Sequence, residues 1–160
     1  NTTQTFMAFE GRLPPRWALA RGDSLLIDGV TFEVAWPPGG FSANQPNAAS
    51  IVLRITFGDV SFLLAGDIEA GVQRELMSYG GITAEVLKVP HHGSRTSDPA
   101  FLAAVNPAVA VIQVGEGNRF GHPAEEVVAA LSGTRLYRTD LNGRVTITSD
   151  GREIRVSTAR

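Results

Sequence analysis

The sequence predicts a single α/β domain in which a mixed sheet carries helices on at least one face. Two observations lead to this fold class. Hairpin signals fill the first half of the chain, whereas strands alternate with helices in the second half, as in parallel strand–helix units. The length of 160 residues, with 43% hydrophobic and 19% charged residues, suits one domain with a buried core. We therefore expect one domain over residues 1–160.

The amino-terminal half is predicted to contain two β-hairpins. Residues 1–22 lack a clear period and include two consecutive prolines, which indicates a poorly structured, linker-like segment. Residues 23–38 form the first hairpin around the turn Asp28–Gly29. Residues 50–67 form the clearest hairpin, because two β-rich runs flank Gly58–Asp59.

The carboxyl-terminal half is predicted to alternate between helices and strands. Residues 68–80 read as a helix, with Val72, Leu76 and Tyr79 as its apolar stripe. A strand at 85–89 follows, and then a helix at 97–105 that is capped by Asp98 and has Pro99 at its first position. The next elements are a strand at 108–115 that is buried on both faces and a helix at 123–133. The chain ends with strands within 135–158 that turn at Asn142–Gly143 and Asp150–Gly151.

Composition excludes several function classes. The chain has no cysteine, which rules out disulfides, cysteine-based zinc fingers and thiolate nucleophiles. The net charge of −2 provides no basic excess for nucleic-acid binding, although a bound divalent cation supplies local positive charge of its own. No apolar run approaches the roughly 20 residues that a membrane helix needs.

The first candidate site residue follows an apolar strand. The stretch LLAGD delivers Gly66 and Asp67 to the carboxyl end of that strand, where the glycine lets the backbone approach whatever the carboxylate binds. Asp67 is therefore a candidate metal ligand. The alternative is an aspartate that stabilises a turn or caps the next helix.

The second candidate is a pair of adjacent histidines, His91 and His92, in the stretch VPHHGS. Imidazole is the commonest side-chain metal ligand, and a short strand aims this pair at the same kind of position as Asp67. Ser94 could cap a turn or donate a hydrogen bond to a bound oxyanion. Two surface histidines without a function are the alternative.

The third candidate is the stretch NRFGHP, which lies between a buried strand and a helix. Asn118, Arg119 and His122 could meet the oxygens of a substrate phosphate there, close to a helix N-terminus that favours anions. Alternatively, His122 is a helix-entry residue that packs against Phe120. All three histidines of the chain thus lie in loops that follow strands, where sites are usually built.

Four stretches resemble the carboxyl-terminal metallo-β-lactamase-like domain of the ComEC family, the channel proteins of bacterial DNA uptake. They are NAASIVLRITFGDVSFLLAGDIE (47–69), EVLKVPHHGSRTS (85–97), NRFGHP (118–123) and LYRTDLNGRVTI (136–147). The resemblance runs from Gly22 to the C-terminus. It implies an αβ/βα sandwich that binds one or two metal ions, usually zinc or manganese, between its sheets.

The resemblance also implies roles for individual residues. Asp67 would be the bridging carboxylate ligand and His91 a terminal ligand, so these two would be the catalytic residues, and His92 could add a third metal ligand only by turning its ring. The substrate side of the cleft would be lined by His92, Ser94, Asn118 and His122. The implied substrate is the non-transported strand of DNA, which makes metal-assisted phosphodiester hydrolysis of single-stranded DNA the expected reaction.

The sequence departs from the superfamily at the signature His-x-His-x-Asp-His, since no histidine precedes His91. The middle histidine ligand would fall near Asn47–Ser50, where the chain has NAAS. The chain starts at Asn1 rather than Met, so we expect a truncated domain whose first half lies upstream. Because a catalytic zinc normally has three protein ligands, we expect weak or no metal binding and no useful catalysis by this chain alone.

Half of a sandwich should present an apolar face to the half that is missing. We expect the upstream half of the same domain to cover this face in the parent protein, and two isolated copies to pair through it as a homodimer. The resemblance implies a bacterial inner-membrane channel protein with this domain on the extracytoplasmic side. Two alternatives stay open: a non-catalytic module that binds DNA or channel partners, and a metallo-hydrolase of small phosphodiesters or phosphocholine esters.

Overall fold

Seven strands form one mixed sheet in the computed structural model, which describes residues 19–42 and 45–160. The strands lie side by side in the order in which they occur along the chain. Strands β1 to β4 pair antiparallel and β4 to β7 pair parallel. The strands are β1 (Ser24–Ile27), β2 (Val30–Trp36), β3 (Val52–Phe57), β4 (Val60–Leu64), β5 (Val86–Lys88), β6 (Val109–Ile112) and β7 (Arg135–Arg138). Two further strands, β8 (Val145–Ser149) and β9 (Ile154–Thr158), form a separate antiparallel hairpin.

One helix follows each of the strands β4, β5 and β6. The helices are α1 (Ala70–Tyr79), α2 (Pro99–Val105) and α3 (Glu125–Ala130), and a single helical turn α4 (Thr139–Asn142) follows β7. Helix α2 contacts both α1 and α3, so these helices form one layer. Short 3₁₀ turns lie at Pro46–Ala49 and Pro90–Gly93. The predicted mixed sheet with helices on one face is therefore confirmed.

The main core lies between the helix layer and one face of the sheet. The strand register aligns Leu63, Leu87 and Ala110 on this face, and all three side chains are 0% exposed. A β-bulge between Val34 and Trp36 turns the indole of Trp36 onto the same face, where it is also fully buried. Successive strand residues alternate between faces, so this bulge is what brings the largest core side chain inside.

The opposite face of the sheet is also apolar and is partly open to solvent. We call it the open sheet face; its aligned residues include Leu25, Phe32, Ile55, Phe62, Val86 and Val109, with Ile27 and Leu64 beside them. Val86 and Val109 are buried, whereas Leu25 and Ile27 are 45% and 49% exposed. These two exposed residues line a groove of about 570 Å³. One helix layer, one sheet and a second apolar face together match the architecture expected of half an αβ/βα sandwich.

Two of the predictions about individual elements are wrong. Tyr79 does not belong to a buried stripe on α1: the ring is 39% exposed, lies under the Arg21 guanidinium at 4.0 Å, and its hydroxyl hydrogen-bonds Glu75. The pair Asn142–Gly143 does not join two paired strands. It ends the helical turn α4, and the chain then leaves the large sheet for the β8–β9 hairpin.

The amino-terminal segment is described only in part. Residues 1–18 lie outside the described residues, so the prediction of a linker-like segment over 1–22 concerns mostly residues that are not described. The amides of Arg21 and Gly22 donate to the carbonyls of Pro37 and Val34, which ties this end of the chain to β2. Within the described part of the chain, none of the helices has the length and apolar character needed to cross a membrane.

Candidate active site

The predicted site residues come together at one edge of the sheet. Because β4, β5 and β6 run parallel, their carboxyl ends meet at the same edge, which is where sheets of this kind build their sites. Asp67 follows β4, the pair His91–His92 follows β5, and His122 lies in the loop after β6. The ring centroids of His91 and His122 are 5.8 Å apart.

Asp67 does not cap the following helix, which was one of the alternatives for this residue. Helix α1 begins after Glu69, which occupies the N-cap position, and the Asp67 carboxylate lies outside this first turn. The Asp67 amide donates to Ser50 Oγ at 3.2 Å. Gly66 has φ +55°, and a Cβ there would come within 2.8 Å of the Ser50 Cβ, so only glycine allows this close approach.

The two histidines have an uncommon backbone conformation. His91 and His92 have φ of 45° and 54°, and Gly93 follows with φ of 77°. Non-glycine residues rarely enter the left-handed region, and such strain persists only where surrounding contacts hold it. Two hydrogen bonds do so here: the His91 amide donates to Gly66 O at 3.1 Å, and the Ala124 amide donates to Gly93 O at 2.8 Å.

The strained backbone aims the two imidazoles at two different carboxylates. His92 Nε2 lies 3.8 Å from Asp67 Oδ1. His92 Nδ1 lies 2.7 Å from the carbonyl oxygen of Gln113 and must donate to it, which leaves Nε2 unprotonated in the neutral ring. His91 Nδ1 is buried and lies 3.3 Å from Glu69 Oε1, without the geometry of a hydrogen bond.

The loop after β6 is organised by Asn118. The Asn118 side-chain oxygen accepts from the amides of Phe120 and His122, and its nitrogen donates to His122 O at 2.6 Å. Burial lowers the pKa of His122, and the nearby His91, His92 and Arg95 lower it further. The ring of His122 is therefore neutral at neutral pH.

The remaining two predicted residues differ in exposure. Ser94 is 4% exposed, and its Oγ accepts from both the amide and the hydroxyl of Thr96, so it stabilises the turn after the histidine pair. Arg119 is exposed on the same loop as His122. Ser94 therefore stabilises a turn, which is one of the two roles considered for it from the sequence.

Two residues at this site were not predicted from the sequence. Glu69 lies between His91 and the Asn47 amide, whose Nδ2 is 3.2 Å from Glu69 Oε1. Lys88 Nζ donates to Gly66 O at 2.8 Å and lies 3.5 Å from Asp67 Oδ1. A lysine at the end of the otherwise apolar strand β5, three residues before His91, was the available signal.

Burial lowers the pKa of Lys88, and the Asp67 carboxylate opposes this effect. Lys88 occupies the open sheet face rather than the main core, because the register places it beside Leu64 and one residue after the core residue Leu87. Its long apolar stem is covered and its ammonium reaches the sheet edge. The site therefore contains its own cation next to the candidate metal-ligating carboxylate.

The donor types suit zinc or manganese, but the described residues do not complete a metal site. Across residues 19–42 and 45–160, no three His, Cys, Asp or Glu side chains are arranged to hold one ion. A catalytic zinc needs about three protein ligands and an open position. Asp67 together with one of the two imidazoles fits part of such a set, so the remaining ligands would have to come from elsewhere.

Comparison with known proteins identifies longer relatives. No protein-family model matches the chain. It is 38% identical over 129 residues to ComE operon protein 3 of Bacillus subtilis and 39% identical over 121 residues to competence protein ComA of Neisseria gonorrhoeae, which covers 78% and 72% of this chain. It is also 31% identical over 158 residues, 93% of the chain, to uncharacterized protein YcaI of Escherichia coli. The chain spans only 16%, 17% and 21% of the length of these three relatives.

A solved structure adds a distant likeness. A Thermotoga maritima protein described as a Zn-dependent hydrolase of the metallo-β-lactamase superfamily aligns over 74% of this chain and 59% of its own, with 16% identity and a TM-score of 0.39. This likeness is too distant to bear on the fold. The two competence proteins are each more than 30% identical to this chain over more than two thirds of its length. The chain is therefore a ComEC-like domain that corresponds to one segment of these longer proteins.

Proposed function

We propose that this chain is the carboxyl-terminal part of a metal-dependent phosphodiester hydrolase domain that acts on single-stranded DNA during DNA uptake. The observation that carries the proposal is the convergence of Asp67, His91, His92 and His122 at one sheet edge. The relationship to competence proteins supports DNA as the substrate class. The strained histidine backbone supports a functional rather than a packing role.

Each residue has a distinct task in this proposal. Asp67 and His91 would hold zinc or manganese, with His92 as a further ligand if its ring turned, and the metal supplies Lewis-acid chemistry toward a phosphoryl oxygen when bound. The Lys88 ammonium forms an ion pair with the Asp67 carboxylate and keeps it in position. Burial lowers the pKa of His122, which favours its neutral imidazole, and this ring would accept a proton at the substrate side.

We propose that the remaining metal ligands come from an upstream half of the same domain. The relatives are roughly five to six times longer than the matched segment, and the open sheet face offers an apolar surface for a second layer. Asn47 and Ser50 lie beside Asp67 and Glu69, at the position where the superfamily has a histidine ligand. The isolated chain would then bind metal weakly and lack catalysis.

Metal content of the isolated chain tests this division of the site. The chain would be loaded with manganese or with zinc, desalted, and analysed by mass spectrometry for bound metal. Controls are Asp67→Ala and His91→Ala, with Asp59→Ala as a matched substitution in the exposed turn between β3 and β4, far from the histidines in the fold. We expect substoichiometric metal in every sample. Stoichiometric metal that only Asp67→Ala and His91→Ala abolish would refute the proposal that the site is divided.

Cleavage of DNA separates the proposed function from its alternatives. A longer polypeptide that includes the upstream half should degrade single-stranded DNA with manganese, and Asp67→Ala should abolish this activity. Binding of DNA without cleavage would favour a non-catalytic module. Hydrolysis of bis(p-nitrophenyl) phosphate or phosphocholine esters, without cleavage of DNA, would favour an enzyme of small phosphodiesters.

We also propose a cellular setting for the parent protein. It would be a bacterial inner-membrane channel protein with this domain on the extracytoplasmic side. Protease treatment of spheroplasts should then remove the domain, and protection from protease would contradict the assignment. For the isolated chain we expect a homodimer through the open sheet face, which sedimentation analysis would detect and Ile27→Ser should weaken.

A further inference from the structure

Phe120 is the most exposed of the large hydrophobic side chains in the described residues, at 84%. Burial of a phenylalanine side chain normally stabilises a fold, so a phenylalanine left in water gives up that stabilisation. The Phe120 amide donates a hydrogen bond of 3.1 Å to the Asn118 side-chain oxygen, which fixes the backbone that carries this ring.

The ring of Phe120 pairs with the ring of a residue of the candidate site. It lies over the imidazole of His122, with centroids 6.1 Å apart and planes inclined by 21°. The two rings form an offset pair, and the Phe120 side chain stays exposed. The same ring borders a cavity of about 420 Å³ that His92 and Val114 also line. A planar group entering this cavity therefore meets Phe120 on one side and the histidine cluster beyond it.

The surroundings of this stack suit a ligand that carries both a planar ring and a phosphate. Arg119 precedes Phe120 in the loop, and Arg95 lies three residues after His92 in the loop that carries the histidine pair. Both arginine side chains belong to exposed residues. Guanidinium groups pair well with phosphate oxygens, and bases of single-stranded nucleic acid stack on exposed aromatic rings without regard to sequence.

We propose that Phe120 is a nucleobase-stacking residue that holds the base next to the phosphodiester bound at the histidine cluster. This inference rests on the proposed function, because it takes single-stranded nucleic acid as the ligand. It assigns Phe120 a binding role that Asp67 and the histidines do not have. A stacked base orders the strand, and the adjoining phosphodiester is then presented to the sheet edge in one orientation.

The test compares two oligonucleotides bound to the full chain in manganese-containing buffer. One is a short single strand that carries bases with 2-aminopurine at one position, and the other is the same backbone with abasic sites throughout. Binding is followed by anisotropy, and stacking by the quenching of 2-aminopurine fluorescence. The variants are Phe120→Ala and Phe120→Tyr, with Leu26→Ala as a matched change of another exposed apolar residue, 68% exposed on edge strand β1.

Loss of one stacking contact is expected to weaken binding of the base-carrying strand by about 5- to 150-fold in Phe120→Ala. Phe120→Tyr and Leu26→Ala should bind like the original chain, and quenching should disappear only in Phe120→Ala. The abasic strand should bind equally to all variants.

Three results would overturn the inference, and they differ in what they say about the proposed function. An unchanged affinity in Phe120→Ala would remove the stacking role while phosphodiester binding stands. Equal losses for both strands would make Phe120 a support of the loop rather than a contact to the base. If the original chain bound neither strand, the proposed substrate would itself be wrong.

Discussion

Replacement of Gly93 by alanine should destabilise the fold where the two loops that carry the histidines contact each other. Gly93 has φ +77°, and an added Cβ would lie 2.7 Å from Pro123 Cβ and 3.2 Å from Pro123 Cα. Its carbonyl also accepts the Ala124 amide at 2.8 Å, which joins the loop after β5 to the loop after β6. The substitution therefore adds backbone strain and a steric conflict at the same place.

The size of the effect follows from two contributions. A non-glycine residue in the left-handed region costs about 1–2 kcal/mol, partly offset by about 0.4–1 kcal/mol of reduced freedom in the unfolded chain. Overpacking against the Pro123 ring adds about 1–3 kcal/mol. Gly93→Ala should thus lower the free energy of unfolding by about 2–4 kcal/mol, or Tm by roughly 5–15 °C for a domain of this size.

Two matched glycines separate these contributions. Gly117 has φ +65° but nothing within 4 Å of an added Cβ, so Gly117→Ala should show only the backbone cost, about 1 kcal/mol or less. Gly133 has neither a positive φ nor a close neighbour, so Gly133→Ala should be nearly neutral. Urea unfolding followed by circular dichroism measures all three. If Gly93→Ala proved no more destabilising than Gly117→Ala, the steric argument would be refuted.

Three further predictions concern other contacts. Asp98→Ala removes the side chain that caps α2 and should lower the free energy of unfolding by about 1 kcal/mol in a urea titration, and an unchanged midpoint would argue against the cap. Burial raises the pKa of Glu85, but the hydrogen bonds from Ser61 outweigh burial and lower this pKa below 4.5. The ionised Glu85 carboxylate therefore stabilises the fold above pH 4.5, and this stabilisation is lost as the pH falls through the pKa of the folded state. Glu85→Gln should therefore flatten the loss of stability below about pH 4.5, and parallel pH profiles would contradict this. Glu69→Gln should change the ¹⁵N shifts of the His91 ring nitrogens, which reports whether the carboxylate 3.3 Å away sets the tautomer, and identical spectra would deny it that role.

The elements that sequence reasoning located correctly depend on local chemistry. The turns at Asp28–Gly29 and Gly58–Asp59 are recognisable because glycine takes the positive φ that such turns require. The cap of α2 is a property of Asp98 and Pro99 alone. The placement of candidate site residues after strands followed from the same local reading.

Contacts between distant parts of the chain could not be predicted in this way. Tyr79 leaves the core because Arg21, far away in sequence, lies over its ring. Glu69 joins the site because Asn47 and His91 approach it from two other segments. The left-handed backbone of the histidine pair is likewise set by partners outside the motif, so no spacing rule within the sequence could show it.

The spatial order of the seven strands has a consequence for how the domain is made. Every strand of the large sheet pairs with the strand that precedes it in sequence, so each finds its partner already present as the chain leaves the ribosome. Pairing between neighbours keeps loop closure short and favours fast folding. The histidine cluster follows the same order, since it is complete when the loop after β6 contributes His122, about three quarters of the way along the chain. Sheet and cluster can therefore form progressively during synthesis, and of the large sheet only β7 is still to follow His122.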